Sequence, residues 1–214
     1  MYQPPHFIET DPVVLQALMR AHPLALLITA GPGGLMANPL PFQFDPARGM
    51  KGTLLAHMAK ANPQWREIEA GAPVLAVFQG ENAYITPSWY QTKQETGKVV
   101  PTWNYAIVQA RGTGRAIQDP EWLMEQVSSL TQQHEEKRDQ QWQVSDAPEA
   151  YVAAQLKGIV GVEIEISDLN GKWKVSQNRP LADRSKVAAG LADPTEPHTN
   201  PAIAELVEIY GGLR

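Results

Sequence analysis

Four short segments of the sequence concentrate side chains that could bind a charged or planar ligand. In the first, residues 56–65, a predicted strand ends at His57, a cation follows at Lys60, and a predicted helix begins at Asn62. Free backbone amides at a helix N-terminus beside a cation form an anion site suited to a phosphate monoester. Alternatively, Asn62 only caps the helix and Lys60 is solvated. Spacing alone favours this alternative, because capped helices are far commoner than phosphate sites.

The second and third segments place aromatic rings beside hydroxyl and amide groups. The candidate residues are Ser88 and Trp89 within 84–90, and Thr102, Trp103 and Asn104 within 99–105. An isoalloxazine ring needs this combination, because it stacks on flat faces and forms hydrogen bonds along one edge. The competing interpretation is that the rings belong to the core and the polar groups serve turns. For two such clusters in one short stretch, the two interpretations are evenly balanced.

The fourth segment, residues 171–179, alternates lysines with apolar side chains on a predicted strand. Lys172 and Lys174 share one face of that strand, because successive side chains of a strand point to opposite faces. Gln177 lies in the polar run that follows. The alternative interpretation is that both lysines are solvated on an edge strand, where they protect against aggregation.

The composition excludes several classes of chemistry. The chain contains no cysteine, which excludes disulfides, thiolate metal sites, iron–sulfur clusters and cysteine nucleophiles. Its five histidines show no metal-ligand spacing among themselves or with carboxylates, so we predict no metal site. There is no P-loop, dinucleotide fingerprint or G-x-S-x-G elbow. Hydrolase and metalloenzyme functions are therefore disfavoured.

The charge of the chain argues against a dominant nucleic-acid surface. The formal net charge is −5 and the pI is about 5.5, whereas proteins that hold duplex DNA usually present a basic face. The predicted long helix over 121–137 carries four glutamates against one lysine, the wrong sign for a DNA groove. Direct DNA binding is therefore doubtful. No signal-peptide pattern or apolar run of roughly 20 residues is present, so we expect a cytoplasmic protein without membrane attachment.

Short apolar runs separated by Gly, Pro and Asn predict a mainly β fold with inserted helices, in which antiparallel strands form a small closed or half-closed barrel. Asn170-Gly171 is a hairpin turn signal. The predicted strands are 24–28, 35–44, 52–57, 73–79, 83–86, 101–117, 160–166 and 172–177. The predicted helices are 12–19, 62–70, 121–137 and 147–156, with a partly helical tail after 180.

At these segments the chain resembles the PaiB family of FMN-binding negative transcriptional regulators. The matching motifs are Met1-Tyr2-x-Pro4, Ala37-Asn38-x-Leu40-Pro41-Phe42, His57-x-Ala59-x-Ala61-Asn62-Pro63, Ala83-Tyr84-Ile85-x-Pro87-Ser88-Trp89-Tyr90, Val100-Pro101-Thr102-Trp103-Asn104-Tyr105 and Gly171-Lys172-Trp173-Lys174-x-Ser176-Gln177-Asn178. The resemblance defines one domain over 1–191 with a tail over 192–214. The chain departs from the family at Pro39, where the family has a histidine. A proline in a strand is tolerated only at an edge or a bulge.

The resemblance implies a split β-barrel of the pyridoxamine-phosphate-oxidase type, an α+β fold that forms a homodimer with FMN between subunits. The segment from His57 to Asn62 would lie near the FMN phosphate. The segments of Trp103 and Asn104 and of Lys174 and Gln177 would flank the flavin. The implied function is an FMN-binding transcriptional regulator, and the alternative is an FMN-dependent oxidoreductase acting on a small molecule. A third possibility is a flavin-binding protein with neither activity.

Overall fold

Eight strands and seven α-helices make up the computed structural model, which describes residues 1–214. The strands are β1 (Ile8–Glu9), β2 (Leu24–Gly31), β3 (Gly34–Pro41), β4 (Gln43–Asp45), β5 (Thr53–Ala59), β6 (Val74–Ile85), β7 (Thr102–Ile117) and β8 (Ile159–Lys174). The helices are α1 (Pro12–Ala21), α2 (Gln64–Glu69), α3 (Gln91–Thr96), α4 (Pro120–Glu135), α5 (Glu149–Leu156), α6 (Leu181–Ala192) and α7 (Pro201–Tyr210). Single 3-10 turns occupy Pro5–Phe7, Pro87–Trp89 and Val144–Asp146.

The strands form one sheet with the order β3-β2-β6-β7-β8-β5-β4, and β1 pairs with β8. The pairings of β2 with β3 and β6, of β4 with β5, and of β8 with β1 and β5 are all antiparallel. Along β8, Val160, Val162 and Ile164 are fully buried, which confirms the alternation predicted for this strand. No helix is both long and apolar enough to cross a membrane.

The chain divides into two compact units. The first unit comprises Met1–Leu18, Gln79–Val108 and Asn170–Arg214, and the second comprises Met19–Phe78 and Gln109–Leu169. Since the boundaries fall inside β6, β7 and β8, each of these strands contributes residues to both units.

The core of the first unit is built largely from helices α6 and α7. Ile203 and Val207 of α7 are fully buried and belong to one apolar cluster with Trp89, Tyr90 and Val175. The expected helical structure in the tail is therefore confirmed by α7. The division of the chain at residue 191 stays a prediction.

The core of the second unit contains a buried polar group at its centre. Gln64 is fully buried, and its Nε2 donates to the Leu27 carbonyl at 3.0 Å. Its Oε1 accepts from Asn38 Nδ2 at 3.0 Å. Because a buried polar group without a hydrogen bond is costly, these bonds hold the start of α2 against β2 and β3.

Two strand breaks predicted from the sequence are absent. The prediction of a hairpin turn at Asn170-Gly171 is wrong, since β8 continues to Lys174 and Gly171 pairs with Glu9 of β1. A Cβ at Gly171 would lie 2.1 Å from Leu15 Cδ2, so this glycine allows close packing of α1. The break predicted between residues 79 and 83 is also wrong, because β6 is continuous through Gly80.

Candidate functional site

The residues predicted to bind the phosphate lie in the second unit, and two of the three are engaged in bonds within the protein. His57 Nδ1 is hydrogen-bonded to Gln126 Oε1 of α4 at 2.8 Å. Asn62 Oδ1 accepts from the Gln64 amide at 3.1 Å. Helix α2 begins at Gln64 with Pro63 in the capping position, one residue later than the predicted cap at Asn62. Asn62 still satisfies one of the first amides of the helix.

Lys60 presents a cation in this segment. Its side chain is exposed, and it takes part in none of the five ion pairs of the structure. Its backbone amide donates to the Gly158 carbonyl at 2.8 Å, which anchors the end of β5. The side chain borders a cavity of about 290 Å³ together with Lys157. An anion could therefore approach Lys60 without displacing a carboxylate.

Two residues of the second predicted segment serve the fold of the first unit. Trp89 is buried and packs against Gly190 of α6, where an added Cβ would lie 2.5 Å from the indole. Ser88 lies in a turn, where its amide donates to Thr86 Oγ1 at 3.2 Å. Lys93 Nζ lies 3.4 Å from the Ser88 hydroxyl. These contacts match the interpretation of this segment as core and turn.

Two further predicted residues, Asn104 and Gln177, shape the turn that ends β8. Asn104 is fully buried, and its Nδ2 donates to Ser176 Oγ at 3.0 Å. Ser176 has a φ of 66°, a left-handed conformation that is uncommon for a residue other than glycine. Gln177 Oε1 accepts from the Val175 amide at 2.8 Å. The Asn104–Ser176 hydrogen bond and the folded-back Gln177 side chain hold the left-handed backbone at Ser176 in place. Such strained backbones are frequent at functional sites.

The remaining predicted residues, Thr102, Trp103 and Lys174, come together on one outer surface of the first unit. Lys174 Nζ donates to Thr102 Oγ1 and to the Trp103 carbonyl. The same ammonium lies 6.0 Å from the centre of the Tyr105 ring. Lys172 Nζ lies 5.5 Å from that ring. The predicted shared face of the two lysines is therefore confirmed.

This surface extends on both sides through residues that the sequence prediction did not select. Lys172 Nζ also lies 5.5 Å from the Tyr2 ring. On the other side, the rings of Trp103 and Tyr84 are 6.0 Å apart, and those of Tyr84 and His198 are 4.9 Å apart. We name this chain of contacts the aromatic–lysine surface. Its members are Tyr2, Tyr84, Trp103, Tyr105, Lys172, Lys174 and His198.

Burial separates this surface from an ordinary solvated face. Lys172 is only 8% exposed, whereas Trp103 is 54% exposed. The alternative interpretation of the lysines as solvated edge-strand residues is therefore wrong for Lys172. The Lys172 ammonium lies 5.5 Å from the Tyr105 ring, and the exposed Trp103 indole belongs to the same surface, so positive charge and flat ring faces are both available to a planar ligand with a polar edge.

The electrostatics of the surface favour an anion. None of the five ion pairs of the structure involves Lys172, Lys174 or Arg179. Burial lowers the pKa of Lys174, and the positive charges of Lys172 and Arg179 lower it further. An anionic ligand would relieve this repulsion, because opposite charges stabilise the protonated lysine.

The residues that the prediction missed differ in how visible they are in the sequence. Tyr105 and Lys172 lie inside the motifs that carry the family resemblance, but their exposure could not be judged from spacing. His198 gives no local signal, because it belongs to a Pro/Thr-rich stretch and approaches Tyr84 only after α6 and α7 have packed.

The fold belongs to the class of split barrels. The structure is similar to the FAD and heme binding protein from Mycobacterium smegmatis, with a TM-score of 0.58 and 16% identity over 78% of this chain and 73% of that chain. It is also similar to the flavocytochrome Anf3 from Azotobacter vinelandii, with a TM-score of 0.54 and 14% identity over 78% of this chain and 68% of that chain. The predicted α+β split barrel is thereby confirmed.

The sequence comparisons give the family. Residues 1–168 match the family FMN_bind_2, described as "Putative FMN-binding domain", and the chain belongs to this family. It is 32% identical over 208 residues, 97% of each chain, to the protease synthase and sporulation protein PAI 2 of Bacillus subtilis. It is 38% identical over 213 residues to the uncharacterized protein AN0679 of Emericella nidulans, covering 83% of this chain and 85% of that one. The PaiB resemblance and FMN as the cofactor are confirmed.

Proposed function

We propose that the protein is an FMN-dependent negative transcriptional regulator that works as a homodimer. Trp103, Lys172 and Lys174 of the aromatic–lysine surface carry this proposal, since they combine an exposed indole with ammonium groups that take part in no ion pair of the structure. Cationic donors near the pyrimidine edge of a flavin tune its electronics, and stacking fixes the ring. The occupancy or redox state of the flavin would then set a conformation that a partner reads.

The residues divide into those that would hold FMN and those that would support them. Thr102, Trp103 and Lys174 would hold the ring, and Lys60 would meet the phosphate, with His57 and Asn62 holding its segment. Ser88, Trp89, Asn104 and Gln177 would position the strands and turns behind them. Bound FMN supplies one- and two-electron transfer, which no side chain of the protein provides.

An exposed apolar face on β2 and β3 supports the homodimer. Leu24, Leu26 and Leu35 are 66%, 40% and 81% exposed. Leu26 pairs with Pro39 across the two strands, so these side chains share one face of the sheet. β3 pairs only with β2, and Pro39 is therefore tolerated on an edge strand. Contiguous exposed apolar patches mark interaction sites, and a second copy of the chain is the occupant that the family resemblance implies.

Light scattering and flavin recovery test the two parts of this proposal together. The purified protein should carry FMN that heat denaturation releases, and its mass should be about twice the 23.6 kDa of the chain. Leu26→Asp should give a monomer, because it places a charge within the apolar face. The matched control is Met50→Asp, at a fully exposed position outside that face, and it should remain a dimer. A flavin-loaded wild-type monomer would contradict the homodimer.

Regulation by direct and tight DNA binding is not supported by the charge. The chain carries a net charge of −5, and helix α4 carries glutamates and no lysine or arginine. Affinity for random duplex DNA at about 0.15 M salt should stay within the roughly 10⁻⁴–10⁻⁶ M of non-specific binding. A gel-shift series with the upstream region of its own gene, with and without FMN, tests this. Nanomolar, sequence-selective binding would show that the protein represses directly.

The alternative function is an FMN-dependent oxidoreductase acting on a small molecule. The observation that favours it is the open pocket beside Trp103, which could admit a second ligand. Anaerobic reduction of the bound flavin, followed by mixing with candidate acceptors, distinguishes the two functions. Multiple turnovers would favour the enzyme, whereas a single slow reoxidation would favour the regulator.

The absence of cysteine fits the reducing cytoplasm, which we propose as the location of the protein.

A further inference from the structure

A pocket of about 510 Å³ lies at one end of the aromatic–lysine surface. Its walls include the rings of Tyr84, Trp103 and His198, together with Asn82, Thr199 and Asn200. This volume lies within the roughly 300–1,000 Å³ of small-molecule sites. All these residues belong to the first unit. His198 to Asn200 lie beyond the segment that matches the family, which ends at residue 168.

The loop that carries His198 is fixed by hydrogen bonds. Asn200 Oδ1 caps α7 by accepting from the Ile203 amide at 3.1 Å. Asn200 Nδ2 donates to the Asn82 carbonyl of β6 at 3.1 Å. Thr199 Oγ1 donates to the Leu191 carbonyl at 3.0 Å. The loop is thus hydrogen-bonded to β6, α6 and α7, so the part of the pocket wall that His198, Thr199 and Asn200 form is preorganised.

The three rings are inclined to one another, which leaves ring faces free. The planes of Tyr84 and Trp103 meet at 73°, and those of Tyr84 and His198 meet at 58°. Aromatic rings favour such edge-to-face contacts, and a further planar ring can add to them. The Asn82 amide makes no side-chain hydrogen bond within the chain, so it can donate to or accept from a ligand.

The charges distinguish this pocket from the lysine end of the same surface. The residues that form the pocket walls include no Asp, Glu, Lys or Arg, whereas Lys172 and Lys174 concentrate positive charge around Tyr105. The acceptor-rich edge of the flavin ring, which gains negative charge on reduction, is therefore better matched by the lysine end, and an uncharged ring by the pocket. Trp103 joins the two ends, since its carbonyl binds Lys174 and its ring borders the pocket.

We propose that this pocket binds a second ligand beside the flavin, a neutral planar aromatic molecule with a hydrogen-bonding edge, such as a bicyclic aromatic carbonyl compound. This inference rests on the proposed flavin site at Trp103 and Lys174, and it names the class of molecule that would meet the flavin there. His198 and Tyr84 determine the specificity for planarity, and Asn82 bonds the polar edge.

The test measures binding of 1,4-naphthoquinone to the oxidised, FMN-saturated protein by calorimetry. The control ligand is its saturated analogue, decahydronaphthalene-1,4-dione, which keeps both carbonyls and loses the planar ring. The variants are His198→Leu and Tyr84→Leu, which remove one ring each. Tyr151→Leu is the matched control variant, because Tyr151 is an exposed tyrosine of α5 outside the pocket. FMN affinity is measured in parallel by quenching of flavin fluorescence.

The wild type and Tyr151→Leu should bind naphthoquinone and discriminate against the saturated analogue. Each pocket variant should lose about fivefold to tenfold in naphthoquinone affinity, the effect of one aromatic pair, with FMN affinity unchanged. Equal binding of the two ligands, or unchanged binding in both variants, would overturn the proposal. A parallel fall in FMN affinity would also overturn it, since the pocket would then belong to the flavin. If the wild type binds no FMN, the proposed function fails, and the same titration on flavin-free protein still decides the pocket.

Discussion

Two regions of the molecule present cations to a ligand, and they are built in different ways. The segment from His57 to Asn62 is contiguous in sequence, and its polar side chains mostly hold its own backbone and the neighbouring helix. The aromatic–lysine surface draws on five separated stretches of chain, and its lysines pair with no carboxylate. The contiguous segment thus reflects mainly local structure, whereas the residues of the aromatic–lysine surface come from segments that are distant in sequence.

The largest expected effect comes from removing both charges of the surface. We expect Lys172→Gln combined with Lys174→Gln to weaken FMN and riboflavin alike, by about 3 kcal/mol or roughly a hundredfold, because charge-assisted contacts to the ring are lost. Fluorescence quenching of each flavin measures this. Lys51→Gln, at an exposed position in the second unit, is the control. A loss of affinity for FMN alone would mean that the FMN phosphate binds at this surface.

At the segment from His57 to Asn62, we expect a loss of affinity for FMN alone. Lys60→Ala should weaken FMN by about 1.5 kcal/mol, roughly tenfold, and leave riboflavin unchanged, since riboflavin lacks the phosphate. Lys51→Ala is the control, because Lys51 is an exposed lysine of the second unit outside the cavity that Lys60 borders. Equal losses for both flavins would mean that Lys60 supports the fold and not the phosphate.

A smaller effect should separate structure from binding at His57. Gln126 is buried, and its Nε2 has no partner while its Oε1 is hydrogen-bonded to His57. Gln126→Met should lower the free energy of unfolding by about 1 kcal/mol, because His57 Nδ1 loses its partner. Urea unfolding measures this, with Gln132→Met, at an exposed position of α4, as the control. Flavin affinity should not change, and a parallel loss of FMN would place His57 in the site.

The smallest effect concerns the hydrogen bond between Tyr210 and Glu9 of β1, the strand that pairs with β8. Tyr210 donates to Glu9 at 2.5 Å. Burial, followed by the bond to Glu9 and the nearby carboxylates, raises the pKa of Tyr210 above its usual value of 10.0. Because the folded state holds this proton more tightly, its contribution to stability is complete below pH 10 and is lost as pH rises further.

Unfolding in urea between pH 8 and pH 11 should show this loss in the wild type and a shallower fall in Tyr210→Phe. Some pH dependence should remain in the variant, because burial also raises the pKa of Tyr90. Identical pH profiles for both proteins would show that Glu9 does not hold the tyrosine proton.

The sequence predicted most elements of the fold, and the two strand breaks that it predicted wrongly have one physical cause. The helix predicted over 121–137 corresponds to α4, which Asp119 caps by accepting from the Glu121 amide at 3.1 Å. The breaks predicted near Gly80 and Gly171 are absent because each glycine makes room for a neighbour. A Cβ would lie 3.0 Å from Leu18 at Gly80 and 2.1 Å from Leu15 at Gly171. A glycine signal cannot tell a turn from close packing when the neighbour is distant in sequence.

The candidate site was predictable to a smaller extent. Thr102 and Trp103 were identified from residue types, and Lys174 from strand alternation together with the family resemblance, and the three meet in the structure. Trp89 and Asn104 were selected by the same signal and are buried. Exposure depends on which strands and helices cover each face, and local spacing does not encode this.

The bond between Glu9 and Tyr210 joins residues 201 positions apart, and this separation dictates an order during translation. All residues of the second unit have been synthesised once Leu169 is added, whereas the first unit still lacks 170–214. At about 5–20 residues per second, those residues arrive a few seconds later. Until then, Ile85, Trp89 and Tyr90 lack the α6 and α7 residues with which they form one apolar cluster. A nascent chain should therefore spend those seconds as a client for ribosome-associated chaperones.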